Sequence, residues 1–485
     1  MPFHMNKIIQ FTCLGVLLVA GACQERIVPE TKKTPKNVLF IMVDDLRPEF
    51  TAYGQNEIIS PNLDALANSG IRFDRAYCQV PICGASRASI MTGTYPTRHR
   101  FLSARTAAED DRPGTEVLPG HFKKNGYHTK SIGKIFDRVD DHLKAWSEPP
   151  IRFQSMYRWP DYHSEENLRL DSLHTLGLPW EKLDVPDSTY FDGRIANEAI
   201  ASLKDFKSTG QPFFLAVGFV KPHLPFTPPK KYWDMYDPNE IVLPEHRTFQ
   251  PGNAPEEAFF KWIELLSYYG VEEGPLSDEF ARNMIHGYRA SVSYVDAQLG
   301  RLMEALDQEG LTENTTVVLL GDHGWHLGEH GVWCKKYSFQ ESLRVPLIIK
   351  DPAHSPGVSK NVVELVDLFP TLLELTNLPY PEHQLAGESL AGQLQNPEKE
   401  VYGTAFSKWQ NGLTVVTPTH SYTQWMSEPN TIQAHMLYDL KNDPNEQNNI
   451  AHEKENKALV DSLESELYSL MGPEFEQPIQ NTEQE

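Results

Sequence analysis

The sequence predicts an α/β domain, a mainly parallel central sheet flanked by helices, followed by a small C-terminal α+β subdomain. Three observations carry this. Apolar runs of strand length repeatedly end on polar groups, helical patterns lie between those runs, and the composition becomes more polar from about residue 396. The chain has 485 residues, 40% of them apolar, enough to bury a sizeable core.

Taken in order, "MNKIIQFTCLGVLLVAGAC" joins one lysine to an apolar stretch and small residues, the layout of an export signal over residues 1–22. Ala20-Gly21-Ala22 fits a cleavage site, whereas "AGAC" has the look of a bacterial lipobox whose Cys23 would carry a lipid anchor. Both readings place the protein outside the bacterial cytoplasm, in the periplasm or on the outer membrane as a lipoprotein. Residues 23–36 are polar, include two prolines and read as a tether.

"NVLFIMV" (37–43) is then a continuous apolar run, the pattern of a strand buried on both faces of a parallel sheet, and it ends on "DDLRP". The same grammar recurs in "YHTKSI" before "GK", "PFFLAVGFV" before "KPH" and "TTVVLLG" before "DHG". Helical patterns separate them: "SPNLDALANSG", "DGRIANEAIASLKDF", "RASVSYVDAQLGRLMEALDQEG" and, later, "VELVDLFPTLLELTNLP" stopped by proline. In open parallel sheets ligands bind beyond the carboxyl ends of the strands, so the four polar ends should converge. Shorter alternating segments, "GLTVVTPTHSYTQWM" and "MLYDL", follow. These patterns divide the chain into a catalytic domain over 37–395 and a subdomain over 396–485.

The formal net charge of -22 argues against a nucleic-acid partner, which needs basic surface. It does not exclude a small anion held by a local group of cations. Cys78, Cys83 and Cys334 are too few and too irregular for a disulfide framework. Cys78 and Cys334 read as packed thiols, with a bond between them left open.

Asp44 and Asp45 are adjacent carboxylates at a strand end; they either cap the next helix or bind a metal. Asp322 and His323 follow another buried-type strand and should reach the same sheet edge, completing an oxygen-rich set. Three carboxylates and one neutral ligand suit a hard divalent cation, calcium first and magnesium second. Lys134, in "IGKIF", and Lys335, in "GVWCKKYS", are surface lysines or neutralise an anion at that metal. In "KPHLPF", Lys221 and His223 follow a strand, and His223 is a packed histidine or a proton donor to a leaving group. Cys83 opens the helical run "CGASRASIMTG" beside Arg87. A helix start and nearby cations favour a thiolate, but thiolate is a poor partner for a hard ion, so the chemistry asks for an oxygen nucleophile at this position.

"CGASRASIMTG" resembles the sulfatase signature C-x-P-x-R followed five residues on by T-G, in which the cysteine is oxidised to formylglycine. Arg87, Thr92 and Gly93 match, and Ala85 stands where proline is commoner. "NVLFIMVDDLRP", "AVGFVKPHLPF", "SVSYVDAQLGRLMEALD" and "GDHGWHLGEHGVW" are most similar to the iduronate-2-sulfatase branch, and the resemblance runs to "LYDLKNDPNEQNN". It implies an alkaline-phosphatase-like fold and calcium bound by Asp44, Asp45, Asp322, His323 and the formylglycine at Cys83. It also implies a maturation enzyme that makes the formylglycine, and a sulfate held by Arg87, Lys134, His223 and Lys335. One position departs: where that branch ends the "GKIFD" segment in histidine, this chain has Asp137, and His142 is a candidate replacement. Trp325 matches a tryptophan of the branch and either faces a sugar or packs in the core. The aromatic, proline-rich segment 146–190 is expected to shape the pocket.

The implied substrate is a sulfated, uronate-containing oligo- or polysaccharide, glycosaminoglycan or ulvan-like. Two rivals stand beside it: a phosphomonoesterase or phosphonate hydrolase of the same superfamily, and a non-catalytic glycan-binding lipoprotein.

Overall fold

Strand β1 (Asn37–Val43) is buried at every residue, and alternation along it divides the interior in two. Leu39, Ile41 and Val43 face one core with helices Pro61–Ser69, Phe191–Thr209 and Asp278–Gln308. Val38, Phe40 and Met42 face the other, with helices Cys83–Thr92, Leu118–Lys124 and Leu368–Thr376. The result is a sheet covered on both sides by helices, which is why its strands read as unbroken apolar runs. This computed structural model describes residues 36–476 apart from 154–159, 174–175, 248, 261–262, 402, 428–430 and 473–474. The export signal, the lipidation candidate Cys23 and the tether before Lys36 lie outside the described residues.

The other strands of the central sheet are β2 (Ile71–Tyr77), β3 (His128–Gly133), β4 (Phe213–Phe219), β5 (Thr315–Gly321), β8 (Arg344–Lys350) and β9 (Gly357–Glu364). A small hairpin, β6 (His326–Leu327) with β7 (Trp333–Cys334), lies between β5 and β8. The spatial order is β3-β4-β1-β5-β8-β2-β9. Neighbours pair in parallel except at β8, which runs antiparallel to both β5 and β2. The parallel part has the register that matters for function. Val43 pairs with both Phe219 and Gly321, and Gly133 with Gly218, so four strands end level with one another.

One predicted helix is shorter than its sequence pattern. In "VELVDLFPTLLELTNLP", Val363 and Glu364 end β9, Leu365–Asp367 form a 3-10 turn, and the helix spans Leu368–Thr376. Pairing with β2 holds the first two residues extended, and reciprocal capping between Glu364 and Asp367 starts the turn. Beyond it, β10 (Ala405–Trp409), β11 (Gly412–Val416), β12 (His420–Ser427) and β13 (Thr431–Asp439) make an antiparallel sheet in sequential order. Helix Lys457–Met471 buries Val460, Leu463 and Leu467 against Phe406, Leu413, Val415 and Leu437 of that sheet. The opposite side packs Trp425, Met436 and Tyr438 on Tyr337 and Phe339, just past Lys335. No helix among the described residues is long and apolar enough to cross a membrane.

Candidate active site

The level strand ends bring the predicted residues together. Asp44 and Asp45 leave β1 beside Asp322 and His323, which leave β5, and Asp322 Oδ1 accepts from the backbone N–H of Asp45 (3.1 Å) and of His323 (3.0 Å). Asp45 turns into the left-handed region at φ 60, held there by Tyr288 Oη donating to its carbonyl (2.9 Å). The three carboxylates and His323 are wholly buried.

Helix Cys83–Thr92 starts directly above this cluster. Its first intrahelical bond runs from Ser86 N–H to Ile82 O (2.9 Å), so the Ala85 amide is not needed for the ladder and either alanine or proline fits there. Any side chain at Gly84 would meet Ala104 O at 2.2 Å, and Gly93 ends the helix at φ 63. The close approach explains Gly84, and the left-handed turn explains the glycine that ends the signature. Arg87, one turn after Cys83 and fully buried, donates from Nε to Asp322 Oδ2 (2.8 Å) and from Nη2 to Asp44 Oδ1 (3.3 Å). Its Nη1 donates to the carbonyls of Lys134 and Ile135.

Lys134 Nζ lies 2.7 Å from Asp44 Oδ2, and Lys335 Nζ lies 2.8 Å from Asp45 Oδ1 and 3.3 Å from Cys83 Sγ. His323 donates from Nδ1 to Gly324 O (2.9 Å), which leaves the Nε2 lone pair facing Cys83 Sγ at 3.2 Å. His223 is fixed likewise, Nδ1 to Leu224 O (2.6 Å), with Nε2 3.4 Å from Glu264 Oε1. Lys134, Asp137, Val139, Arg152, Val220, His223 and Glu264 line a cavity of about 270 Å³.

The electrostatics are those of an ion and anion site. Burial pushes the Asp44 carboxyl up, but Lys134, His223, Arg87 and Lys335 outweigh it and hold Asp44 well below the ordinary carboxylate value. Asp45 goes the other way: burial, opposed by Lys335 and reinforced by Asp44, raises it to about 7. Burial also drives the Cys83 thiol well up, with Asp44 adding to it, so the helix start does not yield the thiolate that its position suggests. Asp45 Oδ2 is buried without a hydrogen-bond partner. An orphaned carboxylate oxygen amid two further carboxylates and an imidazole lone pair fits a hard divalent ion. Ligand atoms of Asp44, Cys83, Asp322 and His323 lie within 4.8 Å of one another, as do those of Asp44, Asp45, Cys83 and His223.

Comparison with known proteins gives the family. Residues 36–378 match the sulfatase family model, and residues 328–472 match that of the C-terminal part of N-sulphoglucosamine sulphohydrolase. The chain is 31% identical to mouse (Mus musculus) iduronate 2-sulfatase over 88% of its own length and 93% of the relative's. This chain belongs to the sulfatase family. As a sulfatase it is a sulfuric ester hydrolase, and its fold is alkaline-phosphatase-like. It is also 28% identical to an ulvan-active sulfatase of Formosa agariphila, covering 96% and 87% of the two chains. A solved structure in complex with D-glucosamine-2-N,6-O-disulfate superposes with TM-score 0.74 at 21% identity, covering 90% of this chain and 97% of the other.

Some readings of the sulfatase sequence need correction. Trp325 is fully buried in the core, and Lys335 Nζ sits 5.2 Å above its ring, so it supports the lysine and does not face a sugar. His142 stacks on Phe136 and faces Asp141; the cavity wall holds Asp137 instead, 3.1 Å from Lys134 Nζ. Lys221 donates to the carbonyls of His223 (2.8 Å) and Pro225 (2.7 Å) and so braces the His223 loop. Of segment 146–190, Arg152 reaches the cavity wall. Cys78 and Cys334 are free buried thiols. Sequence reasoning missed Glu264, whose Oε2 lies 3.5 Å from Lys335 Nζ and which His223, Lys335 and Lys134 hold below its ordinary value against burial. It comes from the 3-10 turn Glu264–Ser267 in an aperiodic stretch, and only tertiary packing delivers it.

Proposed function

We propose that this sulfatase hydrolyses sulfate esters of a sulfated, uronate-containing polysaccharide or its oligosaccharides, of glycosaminoglycan or ulvan type, at Cys83 after conversion to formylglycine. The observation that carries this is the enclosure of Cys83 by three carboxylates, an imidazole lone pair and two ammonium groups beside a cavity. Hydrated formylglycine would supply an oxygen nucleophile able to release sulfate by re-forming the aldehyde, and calcium would supply positive charge at the sulfuryl oxygens. Asp44, Asp45, Asp322 and His323 would hold the ion. Arg87 fixes Asp44 and Asp322 from behind. Lys134 and Lys335 neutralise the sulfuryl oxygens. His223 is oriented by its Nδ1 bond to Leu224 O, and burial, opposed by Glu264, lowers it to about 4. It therefore gives a proton from Nε2 to the departing sugar oxygen only as the imidazolium that Glu264 and a bound anion would favour. The cavity wall carries Arg152 and Lys134 beside Asp137 and Glu264, and Arg152 is the cation there that would meet a uronate carboxylate.

The reading includes export through the segment 1–22, with a lipid anchor at Cys23, and a division into a catalytic domain 37–395 and a C-terminal subdomain 396–485. The test is sulfate release by calcium-loaded, formylglycine-containing protein from three substrates: an oligosaccharide ending in 2-sulfated iduronate, a simple aryl sulfate and a phosphonate monoester. Release from the first above the second supports the uronate assignment. Release from the aryl sulfate alone moves the substrate to other sulfated sugars, and preference for the phosphonate overturns the reading.

A further inference from the structure

A second convergence of ligand atoms lies outside the Cys83 site. His326 Nε2 and His330 Nδ1 stand 3.7 and 3.8 Å from Glu341 Oε2, and the three atoms lie within 4.8 Å of one another. The two imidazoles are 0% and 1% exposed and the glutamate side chain 16%. Among the described residues none of the three atoms has a hydrogen-bond partner. The outer nitrogens are engaged: His330 Nε2 meets Asn445 O at 2.8 Å, and because a carbonyl only accepts, Nε2 carries the proton and Nδ1 a lone pair aimed at the cluster. His326 Nδ1 meets Ser342 Oγ at 3.0 Å; when it donates there, Nε2 too presents a lone pair.

With His326 donating from Nδ1, three electron-pair donors face one another, an arrangement that burial makes unfavourable unless a cation joins them. The chain takes on backbone strain to build it, since His330 adopts φ 58 in the left-handed region. Tyr337 and Phe339 wall the imidazoles, with ring centroids at 5.1 Å from His326 and 4.4 Å from His330. Arg47, the nearby cation, pairs with Glu329 (2.8 Å) and also feels the Glu341 charge.

We infer that His326, His330 and Glu341 form a second metal site, of the two-imidazole, one-carboxylate kind that takes zinc-class divalent ions, distinct from the carboxylate site at Cys83. Bonds of about 2.0–2.1 Å in tetrahedral geometry place ligand atoms roughly 3.4 Å apart, so the two imidazole–carboxylate separations need contract by only a few tenths of an ångström, and the two nitrogens start within 4.8 Å of each other. The ion would tie the β6–β7 hairpin to the short helix Gln340–Leu343. Lys335 follows β7 directly, so the site would fix the loop that aims its ammonium at Asp45. Its role is positional.

The experiment uses the full chain saturated with calcium and Zn2+ alone as the probe, with bound metal counted after gel filtration. The expected result is one zinc per chain, lost in His330→Gln and Glu341→Gln and kept in Cys83→Ser, with Co2+ in the wild type giving the visible absorption of a tetrahedral site. Zinc should also raise the wild-type melting temperature and leave that of Glu341→Gln unmoved. No retained zinc, or equal retention in the two variants, would overturn the inference and leave a bridging water as the occupant. Should a variant fail to fold, anomalous diffraction at the zinc edge of wild-type crystals decides the question by placing the ion among these three side chains or elsewhere.

Discussion

Two buried carboxylate clusters stand at the same edge of one sheet and meet different partners. Asp44, Asp45 and Asp322, after β1 and β5, meet Arg87, Lys134 and Lys335. Glu364 and Asp367, where β9 ends, meet neutral donors: Tyr95 Oη, Gln79 Nε2 (3.1 Å) and the N–H groups of Phe406 (2.8 Å), Glu364 (2.8 Å) and Glu388 (2.8 Å). Burial pushes both of these carboxyls up, with Asp367 adding to the rise of Glu364 and Glu388 to that of Asp367, whereas Asp44 is held down. Only the first surrounds its carboxylates with cations, holds one of them, Asp44, down, and offers an orphaned oxygen, that of Asp45, whose carboxyl burial raises to about 7. Burial makes a carboxylate pair, and the surrounding cations decide whether it can do ionic chemistry.

The largest effect should come from breaking the first cluster. Arg87→Leu leaves Asp44 and Asp322 without their buried partner and should lower stability by about 3–5 kcal/mol; chemical denaturation of the calcium-loaded protein measures this, and a change under about 1 kcal/mol would make the cations incidental. Lys335→Met should lower kcat/KM about 10²- to 10³-fold with the fold intact, the scale of losing one pre-placed charge at an oxyanion. Steady-state kinetics decide it, and an unchanged kcat/KM would remove Lys335 from the reaction.

The second cluster predicts a pH effect of opposite origin. Glu364 has a folded value of about 8 against an ordinary 4.5, so the unfolded chain releases its proton first. The stability the protonated group contributes is complete below about pH 4.5 and is lost as pH rises towards 8. Glu364→Gln should flatten that decline by about 1 kcal/mol per pH unit. Melts between pH 5 and 9 check it, and parallel slopes for the two proteins would contradict it. The smallest effect belongs to Ala85→Pro. The amide it removes serves no helical bond, so stability should move by under about 0.5 kcal/mol and turnover should not change.

The functional half of the sheet was legible and the other half was not, for a physical reason. β1, β4 and β5 are covered on both faces and read as apolar runs that stop at their chemistry. β2, "IRFDRAY", alternates and carries a register shift, β8 contains Pro346, and β9 merges into the apolar residues of the following helix. Asp44, Asp45, Asp322 and His323 were readable because strand ends fix their place. Glu264 and the true partner of Trp325 were not, because they depend on packing between distant segments. Of the cluster proposed to hold a second metal, His326 and His330 lie inside "GWHLGEHGVW", but Glu341 lies beyond it in the short helix Gln340–Leu343, and only folding brings the three together.

The central claim is that turnover resides in a modified Cys83 within this cluster. The most direct test follows, across preparations matured to different extents, the fraction of the residue-83 peptide that carries formylglycine, by mass spectrometry, together with sulfate release. The account predicts that release is proportional to that fraction and vanishes with it. Release that persists when residue 83 is entirely unmodified cysteine would contradict it.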